Sequence, residues 1–205
     1  MVAYLVAGDP DISTTLELMH QFVLSGVDII ELGVPFTDPI AEGPIIQAAH
    51  DRALQANTSL DMIFSLVEEF RRKDSETPVI LMGYINTFLA NSKELESIHE
   101  RGTDAVLIVD VPGESSLEDI GIQNKNIASI SLISPTTDND RIQKICMSSS
   151  GFIYYVTLRG VTGASNLNED EIQTNILNIR NNTNLPVLAG FGINPKLKSP
   201  SLSPD

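Results

Sequence analysis

Two glutamates stand eleven positions apart in the stretch "ELGVPFTDPIAEGPIIQ", residues 31–47. Glu31 ends the apolar run "VDIIE", where a charge is costly unless it is paired or used. Burial there raises a carboxyl group's pKa and suits it to proton transfer near neutrality. Glu42 lies in a segment too rich in Pro and Gly to be a strand or a helix, and Pro35, Pro39 and Pro44 restrict its motion. A plainer reading stays open for each: Glu31 as a strand-end carboxylate bonded to backbone N–H groups or an arginine, Glu42 as a solvated loop charge.

Two later stretches, "RGVTGASN" (159–166) and "GFGIN" (190–194), are glycine-containing loops after apolar runs. Glycine lets backbone N–H groups point inward and hold a phosphate without a lysine. It also serves tight turns for purely conformational reasons. Tyr84 in "MGYINTF", Tyr154 in "FIYYV" and Asp110 in "IVDVPGE" fall at or near the ends of apolar runs. The tyrosines are substrate contacts or packed core residues, and Asp110 is a positioning acid or a turn former.

Seven short apolar runs must hold these groups: "VAYLVA" (2–7), "VDIIEL" (27–32), "PVILMG" (78–83), "AVLIVD" (105–110), "IASISLI" (127–133), "GFIYYV" (151–156) and "PVLAG" (186–190). They are rich in Val and Ile and do not alternate with polar residues, the pattern of strands buried on both faces of a parallel sheet. Helical patterns lie between them. Thr14 followed by Glu17, Ser115 by Glu118 and Asn168 by Glu171 place a capping side chain before a carboxylate. Ile63, Leu66, Val67 and Phe70 form an apolar stripe, as do Ile172, Ile176 and Ile179.

Alternation of strand and helix makes the class α/β. Periodicity alone allows either an open doubly wound sheet or most of a (β/α)8 barrel. In both, working residues sit beyond the C-terminal ends of the strands. The last residues, "NPKLKSPSLSPD", hold three prolines and no apolar stripe. Residues 194–205 are therefore expected to be a disordered tail, with residues 1–193 as one domain.

The chain has 205 residues, 42% of them hydrophobic and 20% charged, an ordinary globular composition. Its 13 Lys and Arg against 27 Asp and Glu give a formal charge of −14, which repels a polyphosphate backbone and argues against nucleic acid as a partner. Cys146 is the only cysteine, so there is no intrachain disulfide and no thiolate cluster, and a reducing cytoplasm fits best. His20, His50 and His99 lack metal-ligand spacing. No apolar stretch reaches the ~20 residues of a membrane span, and "MVAYLVAGDP" lacks the basic start of a signal peptide.

Taken in order, these stretches resemble the alpha subunit of tryptophan synthase. "ELGVPFTDPIAEGPIIQ" is similar to that family's signature nearly end to end, and "VAGDP", "MGYINTF", "VDVPGE", "RGVTGA" and "AGFGI" follow at the expected places, from residue 1 to about residue 193. The resemblance implies a (β/α)8 TIM barrel and a retro-aldol cleavage of indole-3-glycerol phosphate to indole and glyceraldehyde 3-phosphate. Glu31 matches the general acid/base for indole C3. Glu42 falls where the family has an aspartate that accepts a hydrogen bond from the indole N–H. By the same matching Tyr154 sits beside the carboxylates and Tyr4 and Ile40 border the indole pocket, while Tyr84 is expected as a substrate contact from its place near the end of an apolar run. Thr162 anchors the loop that closes over substrate, and Gly163 and Gly192 match phosphate-binding backbone. The loop from Pro35 to Pro39, with Asp38, resembles the surface that meets the beta subunit in an α2β2 complex. No metal or organic cofactor is implied, since the protonated indole ring takes the electrons; the family's pyridoxal phosphate belongs to the beta subunit.

Three departures accompany the resemblance: a glutamate replaces the family's aspartate at position 42, the N-terminal helix is missing before Met1, and the eighth βα unit is missing after "GFGI". They imply an incomplete barrel of about seven strands, in which cleavage by the chain alone is poor. The alternative expectation is an inactive fragment that keeps at most a surface for the beta subunit.

Overall fold

The computed structural model describes residues 1–91, 95–124, 126–157 and 169–190, with the side chain of Glu169 excepted. Thr162, Gly163, Gly192, Asn168 and the segment 194–205 lie outside the described residues.

Seven strands form one parallel sheet: β1 (Val2–Val6), β2 (Ile29–Gly33), β3 (Val79–Gly83), β4 (Ala105–Ile108), β5 (Ala128–Ile133), β6 (Ile153–Val156) and β7 (Val187–Gly190). Their spatial order is their chain order, β1 through β7. A doubly wound sheet reverses direction at a switch point, and this one does not. Monotonic order is barrel winding, and the sheet curls into an incomplete (β/α)8 barrel.

Six helices are described: α1 (Ile12–Leu24), α2 (Pro44–Gln55), α3 (Leu60–Arg71), α4 (Ile85–Leu89), α5 (Asn139–Ser148) and α6 (Glu169–Arg180). The continuous apolar runs are explained by two buried faces. On the outside, Ile30, Leu32, Val79, Leu81 and Val106 pack with Ile63, Leu66, Val67 and Phe70 of α3. Burying each such side chain contributes about 1.5–3 kcal/mol. Further round, Ile133, Ile153, Tyr155 and Val187 meet Ile142 and Ile145 of α5 and Ile176 and Ile179 of α6, with Ile172 packed alongside. On the concave side, Ile80, Met82, Ala105, Leu107, Ile130 and Phe152 form a separate cluster, joined by Tyr4, Ile29, Leu132 and Tyr154.

Two expected helix starts are corrected. α1 is capped by Asp11, not Thr14: Asp11 Oδ1 accepts the Thr14 N–H at 2.8 Å. The Thr14 hydroxyl is itself a donor to the same carboxylate, at 3.0 Å from Asp11 Oδ2. No helix follows Ser115 and Glu118 among the described residues. The reciprocal cap forms one residue later, where Asp119 Oδ2 accepts the Ser116 N–H at 2.9 Å and Ser116 Oγ accepts the Asp119 N–H at 3.1 Å. Gly121 then turns the chain at φ +86° before a second turn can build. The segment 31–47 is also less irregular than its Pro and Gly content suggests. Its last residues begin α2, with Gly43 as cap and Pro44 at the first helical position, where a missing N–H costs nothing.

Candidate active site

Side chains alternate along β2, so Ile30 and Leu32 face the helices while Ile29 and Glu31 face the concave side. Glu31 pairs in register with Tyr4 of β1 and Ile80 of β3. It is only 4% exposed, and no described residue bonds or ion-pairs with its carboxylate. Among the described residues no arginine or backbone donor ties this strand-end acid down. Desolvation, with a further contribution from the Glu42 charge, pushes its pKa from 4.5 up to about 7.

Glu42 is not a solvated loop charge. At 7% exposure it is turned inward, and burial raises its pKa as well. Its charge and that of Glu31 are both felt by Tyr4 and by Tyr154, so the four groups gather in one place. Burial, foremost, and the two carboxylates keep both phenols neutral. Each tyrosine lies over a strand-end glycine. An added Cβ at Gly33 would stand 2.2 Å from Tyr4 Oη, and one at Gly190 would stand 2.2 Å from Tyr154 Oη. These two glycines leave room for the rings at the rim of the barrel.

The loop that carries Glu42 is held at several points. Val34 N–H donates to Met82 O at 2.8 Å, continuing the sheet ladder past Gly33. Phe36 N–H donates to His50 Nδ1 at 3.1 Å, and the Phe36 ring stacks on Tyr84 with centroids 4.7 Å apart. Ala41 N–H donates to Tyr84 Oη at 3.0 Å. Glu42 N–H closes a turn on Pro39 O at 3.0 Å, and Gln47 Nε2 donates to Glu42 O at 2.9 Å. Tyr84 is thus part of the loop's support, with its hydroxyl committed to backbone. Asp110 accepts the Ile85 N–H at 2.8 Å and so fixes the start of α4 just after Tyr84.

The structure therefore brings together Glu31, Glu42, Tyr4 and Tyr154, with Tyr84 beneath the loop. Ile40 stands apart at 79% exposure on the same turn. Of the two residues expected at a partner surface, Asp38 is exposed and Pro35 is buried by its own chain. The expected phosphate-binding positions Thr162, Gly163 and Gly192 are outside the described residues. Sequence reasoning missed His50 and Gln47. Their signal was spacing: both lie on α2, directly after the loop whose backbone they hold.

Residues 1–200 match the family profile described as tryptophan synthase alpha chain. The chain belongs to the tryptophan synthase alpha chain family. The tryptophan synthase alpha chain of Nitrosococcus oceani is 47% identical over 196 residues, which cover 94% of this chain and 72% of that one. That of Hydrogenovibrio crunogenus is 44% identical at the same coverage of each, 94% and 72%. Among solved structures, tryptophan synthase subunit alpha from Legionella pneumophila str. Paris superposes with a TM-score of 0.82 at 38% identity, covering 94% of this chain and 72% of its own. A chain from the tryptophan synthase a2b2 complex of Pyrococcus furiosus gives 0.82 at 34% identity, covering 94% and 78%. Family and fold thus agree on a tryptophan synthase alpha barrel.

Proposed function

We propose that the chain cleaves indole-3-glycerol phosphate to indole and glyceraldehyde 3-phosphate, with Glu31 moving the proton. The Glu31 carboxyl donates its proton to indole C3, which places positive charge on the ring nitrogen. The bond from C3 to the side chain then breaks, its electron pair restores the ring, and the side-chain hydroxyl passes its proton to the Glu31 carboxylate left by the first step as it becomes the aldehyde, which restores the acid. Glu42 accepts a hydrogen bond from the indole N–H and stabilises the charge that develops there. Tyr4 and Tyr154 bound the space in which the ring lies, and Ile40 closes over its open side. Thr162, Gly163 and Gly192 serve the closing loop and the phosphate.

One observation supports this reading above the rest: a buried carboxyl with a pKa of about 7, without a bonded partner among the described residues, faces the concave side of the barrel beside a second carboxylate. An acid poised near the working pH is what proton transfer to carbon needs. The Pyrococcus furiosus relative is described as part of an a2b2 complex, and we extend that assembly to this chain, with Asp38 on the meeting surface. Among the described residues no helix is long and apolar enough to cross a membrane, and the single cysteine fits the cytoplasm.

The test is indole release from indole-3-glycerol phosphate by the purified chain in the presence of a tryptophan synthase beta subunit. Turnover that vanishes when the chain is omitted supports the assignment. No release at any substrate concentration overturns it.

A further inference from the structure

Histidine 50 is 2% exposed, on the inward face of α2, and no step of the proposed reaction uses it. Its ring bridges two elements of the site. Nδ1 faces the Phe36 N–H at 3.1 Å, so that nitrogen accepts and carries no proton. Nε2 then holds the ring proton and points it at Tyr4 Oη, 3.4 Å away. Burial lowers the imidazole's pKa, the Asp51 charge on its own helix opposing, and the tyrosine that faces it from β1 is itself neutral. The neutral ring with its proton on Nε2 is the form that satisfies both neighbours.

We propose that His50 is a positioning residue for the cleavage reaction: by accepting Phe36 N–H and donating to Tyr4 Oη, it locks the Glu42 loop in register with the Glu31 strand. This inference rests on the functional reading above. Phe36 is the first residue past Pro35 whose backbone N–H has a side-chain partner, and Tyr4 pairs directly with Glu31 in the sheet. Tyr84 and Gln47 hold the far side of the same loop, at Ala41 and Glu42. Among the described residues, His50 is the side chain whose hydrogen bonds join the loop's beginning to β1. If that anchor is lost, the loop can slide on Tyr84, and Glu42 moves relative to the place where positive charge develops. A misplacement of about 1 Å is enough to cost roughly a hundredfold in rate.

Two substitutions separate the contacts. In His50→Asn the amide oxygen takes the place of Nδ1 and can still accept Phe36 N–H. In His50→Gln the longer chain reaches toward Tyr4 and leaves Phe36 N–H without its acceptor. Expected for the full chain with a beta subunit present, H50N and H50Q each break one arm of the bridge and each lose roughly ten- to hundredfold in kcat with KM within about threefold. Thermal melts establish that both variants unfold cooperatively. Amide hydrogen exchange at Phe36 reads the anchor without turnover: it should be slow in the parent and in H50N and faster in H50Q. A kcat equal to the parent's in either variant, or unchanged exchange at Phe36 in H50Q, would each overturn the inference. A parent that releases no indole but shows the expected exchange pattern would sink the lyase assignment and leave the His50 anchor standing.

Discussion

Tyr4 Oη occupies the place where a side chain on Gly33 would stand, 2.2 Å from an ideal Cβ. The two residues lie on adjacent strands, and the ring can cross the sheet only because β2 ends in glycine. Replacing Gly33 by alanine must push Tyr4 off Glu31's side of the barrel. We expect G33A to remain folded, since it is a rim position, and to lose at least tenfold in kcat/KM for indole release. Activity equal to the parent would mean that Tyr4 has no part in bounding the indole site.

Glu31 gives a stability prediction independent of turnover. Its folded-state pKa of about 7 lies above the 4.5 of the unfolded chain. The raised value means that the group's stabilising contribution is complete below pH 4.5 and lost as pH rises through 7. The full gap corresponds to about 3 kcal/mol. Urea unfolding of the parent and of Glu31→Gln should therefore differ with pH, the variant gaining on the parent by up to about 3 kcal/mol between pH 4.5 and 8. A difference that stays constant would return Glu31 to an ordinary carboxyl.

Neutralising Glu42 should shift the same titration. Its charge is one of two causes that raise Glu31, and burial is the larger. In Glu42→Gln the Glu31 pKa should fall below about 7 yet stay above 4.5. If the protonated Glu31 starts the reaction as proposed, the high-pH fall of kcat/KM moves to lower pH with it. An unmoved limb would separate the two carboxylates.

Tyr84→Phe keeps the ring on Phe36 and removes the acceptor of Ala41 N–H. A single hydrogen bond of this kind contributes about 0.5–1.5 kcal/mol, so stability should change little. Exchange at the Ala41 amide should quicken, and kcat should fall severalfold as Glu42 loosens. A rise in KM alone, with Ala41 exchange unchanged, would make Tyr84 a substrate contact.

Away from the site, Phe70 is fully buried on α3, stacked on His20 with centroids 5.1 Å apart and covered by the Arg71 guanidinium at 5.4 Å. Phe70→Ala should cost about 3–5 kcal/mol in urea unfolding. A loss under 1 kcal/mol would mean that the helix layer closes over the gap.

Much of this was legible in the residues. Ile63, Leu66, Val67 and Phe70 declare their helix by spacing, and all four are buried. The strands were visible because both faces are covered, which leaves unbroken Val and Ile runs. Periodicity could not choose between winding schemes, since strand order is a long-range property; the monotonic order in space decided it. Glu31 was visible as a charge in an apolar run, whereas the inward turn of Glu42 followed from the family resemblance and not from its own residue pattern, which also fitted a solvated loop charge. That turn depends on Pro39 O, Tyr84 Oη and Gln47 Nε2 acting together across separate elements. Thr14 misled because Asp11, three residues earlier, offers the better cap. His50 looked like a scattered histidine because its partners, Phe36 and Tyr4, are 14 and 46 residues away.

In the proposed reaction the Glu31 carboxyl moves the proton in indole-3-glycerol phosphate cleavage. The most direct measurement compares indole release by the parent chain and by Glu31→Gln, each saturated with a tryptophan synthase beta subunit. Glutamine keeps the shape of the side chain and removes its exchangeable carboxyl proton. The predicted result is a loss of kcat of about 10²-fold or more, with KM little changed. Turnover within a few-fold of the parent would contradict the account and place the acid elsewhere.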